Sequence, residues 1–172
     1  MDEIELVKKC KAGDRNAFSR LIKLYEKDFY RVAIAITKDN EDTLDSIQET
    51  ILQAYKNINC LTHEEYFKTW IIKILINKCN ELLRKRKRLV SLHEYNNKEI
   101  YYDNTDAVDL KDAVNKLGDT LKIIVILYYF EDMSIRDISE SLKVPEGTIK
   151  SRLSKAREKL KYFLEVKESE VI

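Results

Sequence analysis

Apolar side chains recur every three to four residues along most of this chain, which is the spacing of amphipathic helices. Nowhere do apolar and polar residues alternate for long enough to predict a strand. The predicted helices cover approximately residues 2–12, 14–37, 40–57, 64–88, 106–116, 119–131, 135–142 and 145–161. The hydrophobic pattern therefore predicts an all-α protein.

The helical pattern is interrupted at residues 89–105, where Asn and aromatic residues follow no period. We predict that this segment is a flexible linker between a domain at residues 1–88 and a second domain at residues 106–172. We therefore expect two small helical domains.

The segment from Ser134 to Leu153 predicts two short helices joined by a tight turn. Ser134 is a favourable N-cap, and Pro145 suits the first position of the second helix. From residue 146 to residue 161 there are six Lys and Arg but only two Glu. This is the layout of a helix-turn-helix, whose second helix enters the major groove of DNA. The alternative is an amphipathic hairpin with a solvated basic face.

The predicted helix at residues 64–88 is apolar around most of its circumference, but one polar stripe runs along it. The stripe consists of Thr69, Lys73, Asn77, Asn80 and Arg84. Five consecutive cations at residues 84–88 then end the helix, which is more than capping of a helix C-terminus requires. The stripe and the basic run indicate contact with phosphates. Tyr66, Phe67 and Trp70 offer rings for stacking on unpaired bases, and core packing is the alternative for Phe67 and Trp70.

A second polar pattern lies on the predicted helix at residues 40–57. Asp45, Gln48, Glu49 and Leu52 recur at i, i+3, i+4 and i+7 and form one mixed face. The predicted core stripe beside it consists of Leu44, Ile47, Ile51, Tyr55 and Ile58. Carboxylates accept bidentate hydrogen bonds from Arg, so the mixed face favours a basic protein partner. A solvated acidic face is the alternative.

Composition narrows the choice of function. The formal net charge is +1, so binding to nucleic acid depends on local basic patches. Cys10, Cys60 and Cys79 have no metal-ligand spacing, and we expect buried thiols in a reducing cytoplasm. No signal peptide and no apolar run of about 18 residues is visible, so we expect a cytoplasmic protein that is not itself a membrane protein. No phosphate-binding loop is present, and we expect neither an enzyme nor a cofactor.

Three segments resemble the extracytoplasmic-function group of bacterial RNA polymerase sigma factors, the minimal members of the sigma-70 family. Residues 44–55 resemble the E-D-x-x-Q-E-T-F pattern of region 2, and residues 67–86 resemble its F-x-T-W-L…N…L-R-K-R pattern. Residues 129–153 resemble region 4. All three in this order are strongly specific, although Leu44 stands where the family usually has Glu, and Lys143 where it usually has Gly.

The resemblance implies that the chain binds core RNA polymerase through its β′ and β subunits and directs promoter-specific initiation, in an envelope or stress response. The implied polymerase contacts are Asp45, Gln48, Glu49 and Leu52. The implied contacts with the −10 element are Tyr66, Trp70, Lys73, Asn77, Asn80, Arg84, Arg86 and Arg88, together with the loop at residues 60–66. The implied contacts with the −35 element are Thr148, Lys150, Ser151, Arg152 and Lys155.

The resemblance also implies a monomer that is inhibited by a membrane-anchored anti-sigma factor and that needs no cofactor or metal. The alternative function is a helix-turn-helix regulator that acts without core polymerase.

Overall fold

The computed structural model describes residues 3–89 and 108–169, and all regular structure in these two ranges is helical. The helices are α1 (Glu3–Lys11), α2 (Arg15–Leu24), α3 (Glu26–Thr37), α4 (Asn40–Asn57), α5 (Phe67–Leu89), α6 (Val108–Asn115), α7 (Asp119–Val125), α8 (Ile135–Leu142) and α9 (Glu146–Ser169). The prediction of an all-α fold is confirmed.

The chain divides into two compact units, Met1–Glu99 and Ile100–Ile172. The predicted linker at residues 89–105 lies, apart from Leu89, outside the described residues. The predicted domain bounds at residues 88 and 106 therefore stay a prediction.

In the first unit α1 packs on α2, and α5 packs against both α3 and α4. The largest side chains buried in this unit are Leu21, Phe29, Ile34, Phe67, Ile71, Ile72, Leu75 and Ile76. Five of these come from α5 alone, which explains why its sequence is apolar around most of the helix: neighbouring helices cover more than one of its sides.

The predicted helix at residues 14–37 is two helices that meet at Tyr25. The backbone of Tyr25 has φ −106° and ψ 7°, and its N–H donates to the carbonyl of Ile22, which closes the last turn of α2. The Tyr25 ring is buried, with its centroid 6.1 Å from that of Phe29 and 5.8 Å from that of Phe67. Local periodicity missed the break because the apolar positions continue through it.

The predicted core stripe of α4 is only partly correct: Ile58 is buried and Ile47 and Ile51 are half-buried, but Leu44 and Tyr55 are 53% and 44% exposed. The buried side chains of the helix are Asp42, Thr43, Ser46, Thr50 and Ala54. Because one residue turns an α-helix by about 100°, the apolar stripe is rotated partly away from the core. The hydroxyls of Thr37 and Thr43 lie 2.6 Å apart, and the Thr50 hydroxyl donates to the Ser46 carbonyl. Small side chains therefore fill the interior side of α4, and the hydroxyls of Thr43 and Thr50 find hydrogen-bond partners nearby.

The cysteines are only partly as predicted. Cys10 and Cys79 are buried, and burial raises the pKa of the Cys79 thiol to about 11. Cys60 is exposed, so the prediction of a buried thiol is wrong there. Its position follows an apolar helical pattern in sequence, but the chain has already left α4 at that point and forms a short 3₁₀ turn, Ile58–Cys60.

In the second unit α7, α8 and the N-terminal part of α9 surround a small core, and α6 packs on α9. Part of that core consists of Val114, Leu117, Val125 and Ala156, with Leu121, Phe130, Leu160 and Phe163 packed against it. α7 continues into a π-helical turn, Ile126–Phe130, in which the Glu131 N–H donates to the carbonyl of Ile126. The predicted helix at residues 119–131 is therefore confirmed in extent but widens in its last turn.

The turn between α8 and α9 has the predicted chemistry. The Ser134 hydroxyl accepts from the Asp137 N–H at 3.0 Å and donates to the Asp137 carboxylate at 2.6 Å, which caps α8. α8 ends at Leu142, and its C-cap residue Lys143 is left-handed with φ 56° and ψ 45°. A side chain in this conformation costs about 1 kcal/mol relative to Gly. α9 begins at Glu146, directly after Pro145.

Candidate protein and nucleic-acid interfaces

The outward side of α4 combines acidic and apolar side chains. Asp45, Gln48 and Glu49 are exposed, and Leu52 beside them is 54% exposed. We call this set the α4 face; it consists of Leu44, Asp45, Gln48, Glu49, Leu52 and Tyr55. The one-residue rotation of α4 places Leu44 and Tyr55 here, so the surface is more apolar than the sequence analysis predicted. Exposed apolar groups set among charges are typical of a protein-binding surface.

The polar stripe of α5 lies away from its buried sides. Asn77 and Arg84 are exposed, and Lys73 and Asn80 are half-buried. Arg84 also donates through Nε to the Asn80 carbonyl at 3.1 Å, which holds its side chain along the helix. The stripe therefore presents cations and amides along one line, which suits contact with phosphates and base edges.

Aromatic side chains lead from the core to the start of this stripe. Phe67 is fully buried, so the core alternative is confirmed for that residue. Trp70 is half-buried, with its ring 5.9 Å from that of Phe67, and Tyr66 is 60% exposed. Tyr66 and the outer part of Trp70 are thus accessible for stacking, while Phe67 supports Trp70 from below.

Arg86 differs from the other predicted DNA contacts on α5. Two residues turn a helix by about 200°, so Arg86 lies on the opposite side from Arg84. Its guanidinium forms an ion pair with Asp42, whose side chain is only 9% exposed. Burial raises the pKa of Asp42 even though Arg86 opposes that shift. No sequence pattern indicated this pairing. Of Arg88, the structure describes only the helical backbone.

The loop between α4 and α5 contains two 3₁₀ turns, Ile58–Cys60 and Glu64–Tyr66. Leu61 is buried between them, and His63 and Tyr66 are exposed with their rings 6.0 Å apart in an edge-on contact. The loop therefore presents two rings to solvent directly before the polar stripe of α5.

The N-terminal half of α9 separates an apolar side from a polar side. Ile149, Leu153 and Ala156 are buried in the second unit. The predicted contacts with DNA lie on the remaining circumference: Lys150, Ser151 and Lys155 are exposed, and Thr148 and Arg152 are half-buried. The Ser151 hydroxyl also donates to the Thr148 carbonyl at 3.0 Å. A basic outward side on the second helix of a helix-turn-helix is the arrangement that reads a major groove.

An exposed acidic and apolar helix face, a helix with a basic polar stripe and a separate helix-turn-helix define the class of a two-domain transcription factor. The profile of Sigma-70 region 2 matches residues 21–89, and that of Sigma-70, region 4 matches residues 107–160. The chain belongs to the sigma-70 family, and within it to the extracytoplasmic-function sigma factors of RNA polymerase.

Relatives support this assignment over most of the chain. The RNA polymerase sigma factor SigV of Bacillus subtilis is 33% identical over 138 residues, which cover 77% of this chain and 81% of SigV. The ECF RNA polymerase sigma factor SigW of the same species is 27% identical over 175 residues, which cover 90% of this chain and 92% of SigW.

Solved structures agree with the fold. The sigma factor RpoE of Bartonella quintana, in complex with the anti-sigma factor NepR, has a TM-score of 0.64 at 26% identity, over 87% of this chain and 97% of RpoE. CnrH, in complex with the cytosolic domain of CnrY, has a TM-score of 0.62 at 19% identity, over 95% of this chain and 97% of CnrH. The CnrH likeness bears on the fold alone.

Within residues 3–89 and 108–169, no helix is both long and apolar enough to cross a bilayer.

Proposed function

We propose that this chain binds core RNA polymerase and directs it to promoters by reading a −10 element with its first unit and a −35 element with its second. The observation that carries the proposal is the match of both units to sigma-70 regions, with an exposed polar surface on each. A regulator that acts without core polymerase does not account for a first unit of the region 2 type. We further propose the domain bounds predicted above and action in the cytoplasm.

The α4 face is the proposed contact with the polymerase, on the coiled coil of the β′ subunit. Asp45 and Glu49 offer carboxylates for Arg side chains of a partner, and Leu52 offers apolar area between them. Leu44 stands at a position that the family usually fills with Glu. Because Leu44 is 53% exposed, it extends the apolar part of the face instead of disturbing the core.

The −10 element is the proposed ligand of the α4–α5 loop and of the polar stripe on α5. Tyr66 and Trp70 stack on bases that leave the duplex, and Asn77 lies further along the stripe, near a flipped base. Lys73, Asn80 and Arg84 hold the strand through its phosphates. Arg86 is left out of this set, since its guanidinium is paired with Asp42.

The −35 element is the proposed ligand of α9, which reads the major groove through Thr148, Lys150, Ser151, Arg152 and Lys155. The proposed regulator is an anti-sigma factor held at a membrane. Support comes from RpoE, which is 26% identical to this chain and was solved with an anti-sigma factor.

In vitro transcription tests the proposal. Core polymerase with this protein is expected to make defined transcripts from a template library randomised at the −35 and −10 positions. Sequencing of the transcripts then gives the preferred elements. A protein that does not bind core, or transcripts that start without any sequence preference, would contradict the proposal.

Replacing Arg152 with alanine is expected to lower transcription from −35-dependent templates about tenfold or more, because a base contact by Arg contributes about 1–3 kcal/mol to discrimination. Arg157→Ala on the same helix is the matched control, since it removes the same charge at an exposed position beyond the assigned contacts, which end at Lys155. Templates that start from an extended −10 element alone should respond equally to both variants. Equal losses for Arg152→Ala and Arg157→Ala on −35-dependent templates would refute the assigned contact.

A further inference from the structure

The last residue of α1 contacts the loop that precedes α5. Lys11 Nζ lies 2.7 Å from Glu64 Oε1 and donates a hydrogen bond to it, across 53 positions of sequence. The two side chains are 22% and 23% exposed. α1 borders both 3₁₀ turns of the loop, so this ion pair joins the N-terminal helix to the proposed −10 reader.

Glu64 occupies the central part of the loop. Ile58 and Leu61 before it and Phe67 after it are buried, which anchors the two ends of the segment in the core. Between these anchors, Glu64 begins the 3₁₀ turn that carries Tyr66. Without a partner for Glu64, that turn would depend on its own backbone hydrogen bonds alone, and short 3₁₀ turns are weakly held.

The pair also changes the charge that DNA meets at the loop. The hydrogen bond from Lys11 holds the pKa of Glu64 below its usual range, with a smaller contribution from Lys8. Glu64 is therefore ionised near neutral pH, and the ammonium beside it compensates its charge. A strand that approaches Tyr66 meets a compensated pair instead of a lone carboxylate, which would repel phosphates.

We infer that Lys11 and Glu64 are positioning residues for promoter reading: their ion pair holds the exposed side of the α4–α5 loop, with Tyr66, in the conformation that selects bases of the −10 element. The inference rests on the proposed function. It assigns to α1, which lies outside the residues matched by the region 2 profile, a part in specificity.

An ion pair that solvent still reaches in part contributes little to the global stability of a domain. Removal of the ion pair is expected to disorder the loop locally instead, since loops open more easily than the helices around them. Lys11→Met and Glu64→Gln are therefore expected to fold and to bind core polymerase, and to differ from the wild type in base preference.

The experiment uses holoenzyme assembled with each variant on duplex templates randomised at the −10 and −35 positions. Lys11→Met and Glu64→Gln are each expected to flatten the preference at the −10 positions about three- to fivefold and to leave the −35 preference unchanged. Lys9→Met is the matched control, because Lys9 forms its ion pair with Glu5 on the same helix, at 2.9 Å. It should keep the wild-type preference.

Two further variants separate positioning from simple damage. Lys11→Arg keeps a cation at the site and should keep the −10 preference, and the exchange Lys11→Glu with Glu64→Lys should recover most of it. An unchanged −10 preference in both Lys11→Met and Glu64→Gln would overturn the inference, as would a flattened preference in Lys11→Arg. A wild-type holoenzyme without any promoter preference would refute the proposed function itself.

Discussion

Replacing Arg86 with methionine is expected to destabilise the first unit by about 2–3 kcal/mol, whereas Arg84→Met, two residues away, should change its stability by less than about 0.5 kcal/mol. The Asp42 side chain is 9% exposed, so removal of its partner leaves a charge that water barely reaches. Loss of one partner of a fully buried pair costs about 3–5 kcal/mol. Arg86 itself is 37% exposed, which lowers the expected cost.

Urea denaturation of the wild type, Arg86→Met, Asp42→Asn and the double variant measures this effect. Asp42→Asn in the Arg86→Met background should recover at least half of the loss, because a neutral amide is cheaper to bury than a carboxylate. Arg84→Met, the matched control, should weaken binding to a −10 strand while it preserves stability. An equal loss of stability for Arg84→Met and Arg86→Met would contradict the assigned ion pair.

The loss of stability in Arg86→Met is also expected to depend on pH. Burial raises the pKa of Asp42, so its ionised form opposes folding and its protonated form does not. Arg86 counteracts that rise, and without it the pKa of Asp42 should rise further. The stability gap between Arg86→Met and the wild type should therefore narrow as pH falls towards the ordinary range of an Asp carboxyl, which urea titrations at pH 7.5 and pH 5 test.

Asp45→Arg is expected to weaken binding of the chain to core polymerase by about tenfold to a hundredfold, and Leu52→Ala by about tenfold. The reversal at Asp45 places a cation against a basic partner, and like charges across an interface cost several kcal/mol. Truncation of Leu52 removes apolar area from the middle of the α4 face. Both side chains are exposed, so neither change disturbs the packing of α4 on α3 and α5.

Competition for core polymerase against a labelled wild-type chain measures these affinities. Glu26→Arg is the control, since it reverses one exposed acid elsewhere in the same unit at a cost of a few tenths of a kcal/mol to the first turn of α3. Circular dichroism should show the same helical content in all variants. If Asp45→Arg and Leu52→Ala compete as well as Glu26→Arg does, the α4 face is not the docking surface.

Periodicity located α4 well but misplaced its buried side by about one residue. The apolar stripe through Leu44 and Tyr55 was expected inside, and the side of Thr43 and Thr50 is buried instead. Hydrophobic patterns assume that the more apolar side faces the core, but a helix that binds a partner carries a second apolar side outside. Close packing of α4 on its neighbours favours small side chains, and the hydroxyls of Thr43 and Thr50 find hydrogen-bond partners within the bundle.

The ion pairs Arg86–Asp42 and Lys11–Glu64 could not be predicted from the sequence, for a different reason. From the sequence, Arg86 was predicted to contact DNA together with its basic neighbours, and no role was predicted for Lys11. Their partners lie 44 and 53 positions away, so no local spacing indicates either pair. Consecutive cations in a sequence suggest a single basic surface. A helix distributes consecutive residues around its axis, however, so Arg84 and Arg86 point in opposite directions.

The sequence by itself determined the helical fold class, the capped turn from Ser134 to Glu146, the family and the residues that form its proposed contacts. These depend on local periodicity, capping and motif order, which a linear chain records directly. Only the tertiary structure decided which side of α4 is exposed, that Arg86 supports Asp42, and that α1 holds the loop through Lys11. Those outcomes depend on how helices distant in sequence rotate and pack against one another, and no local pattern encodes that rotation.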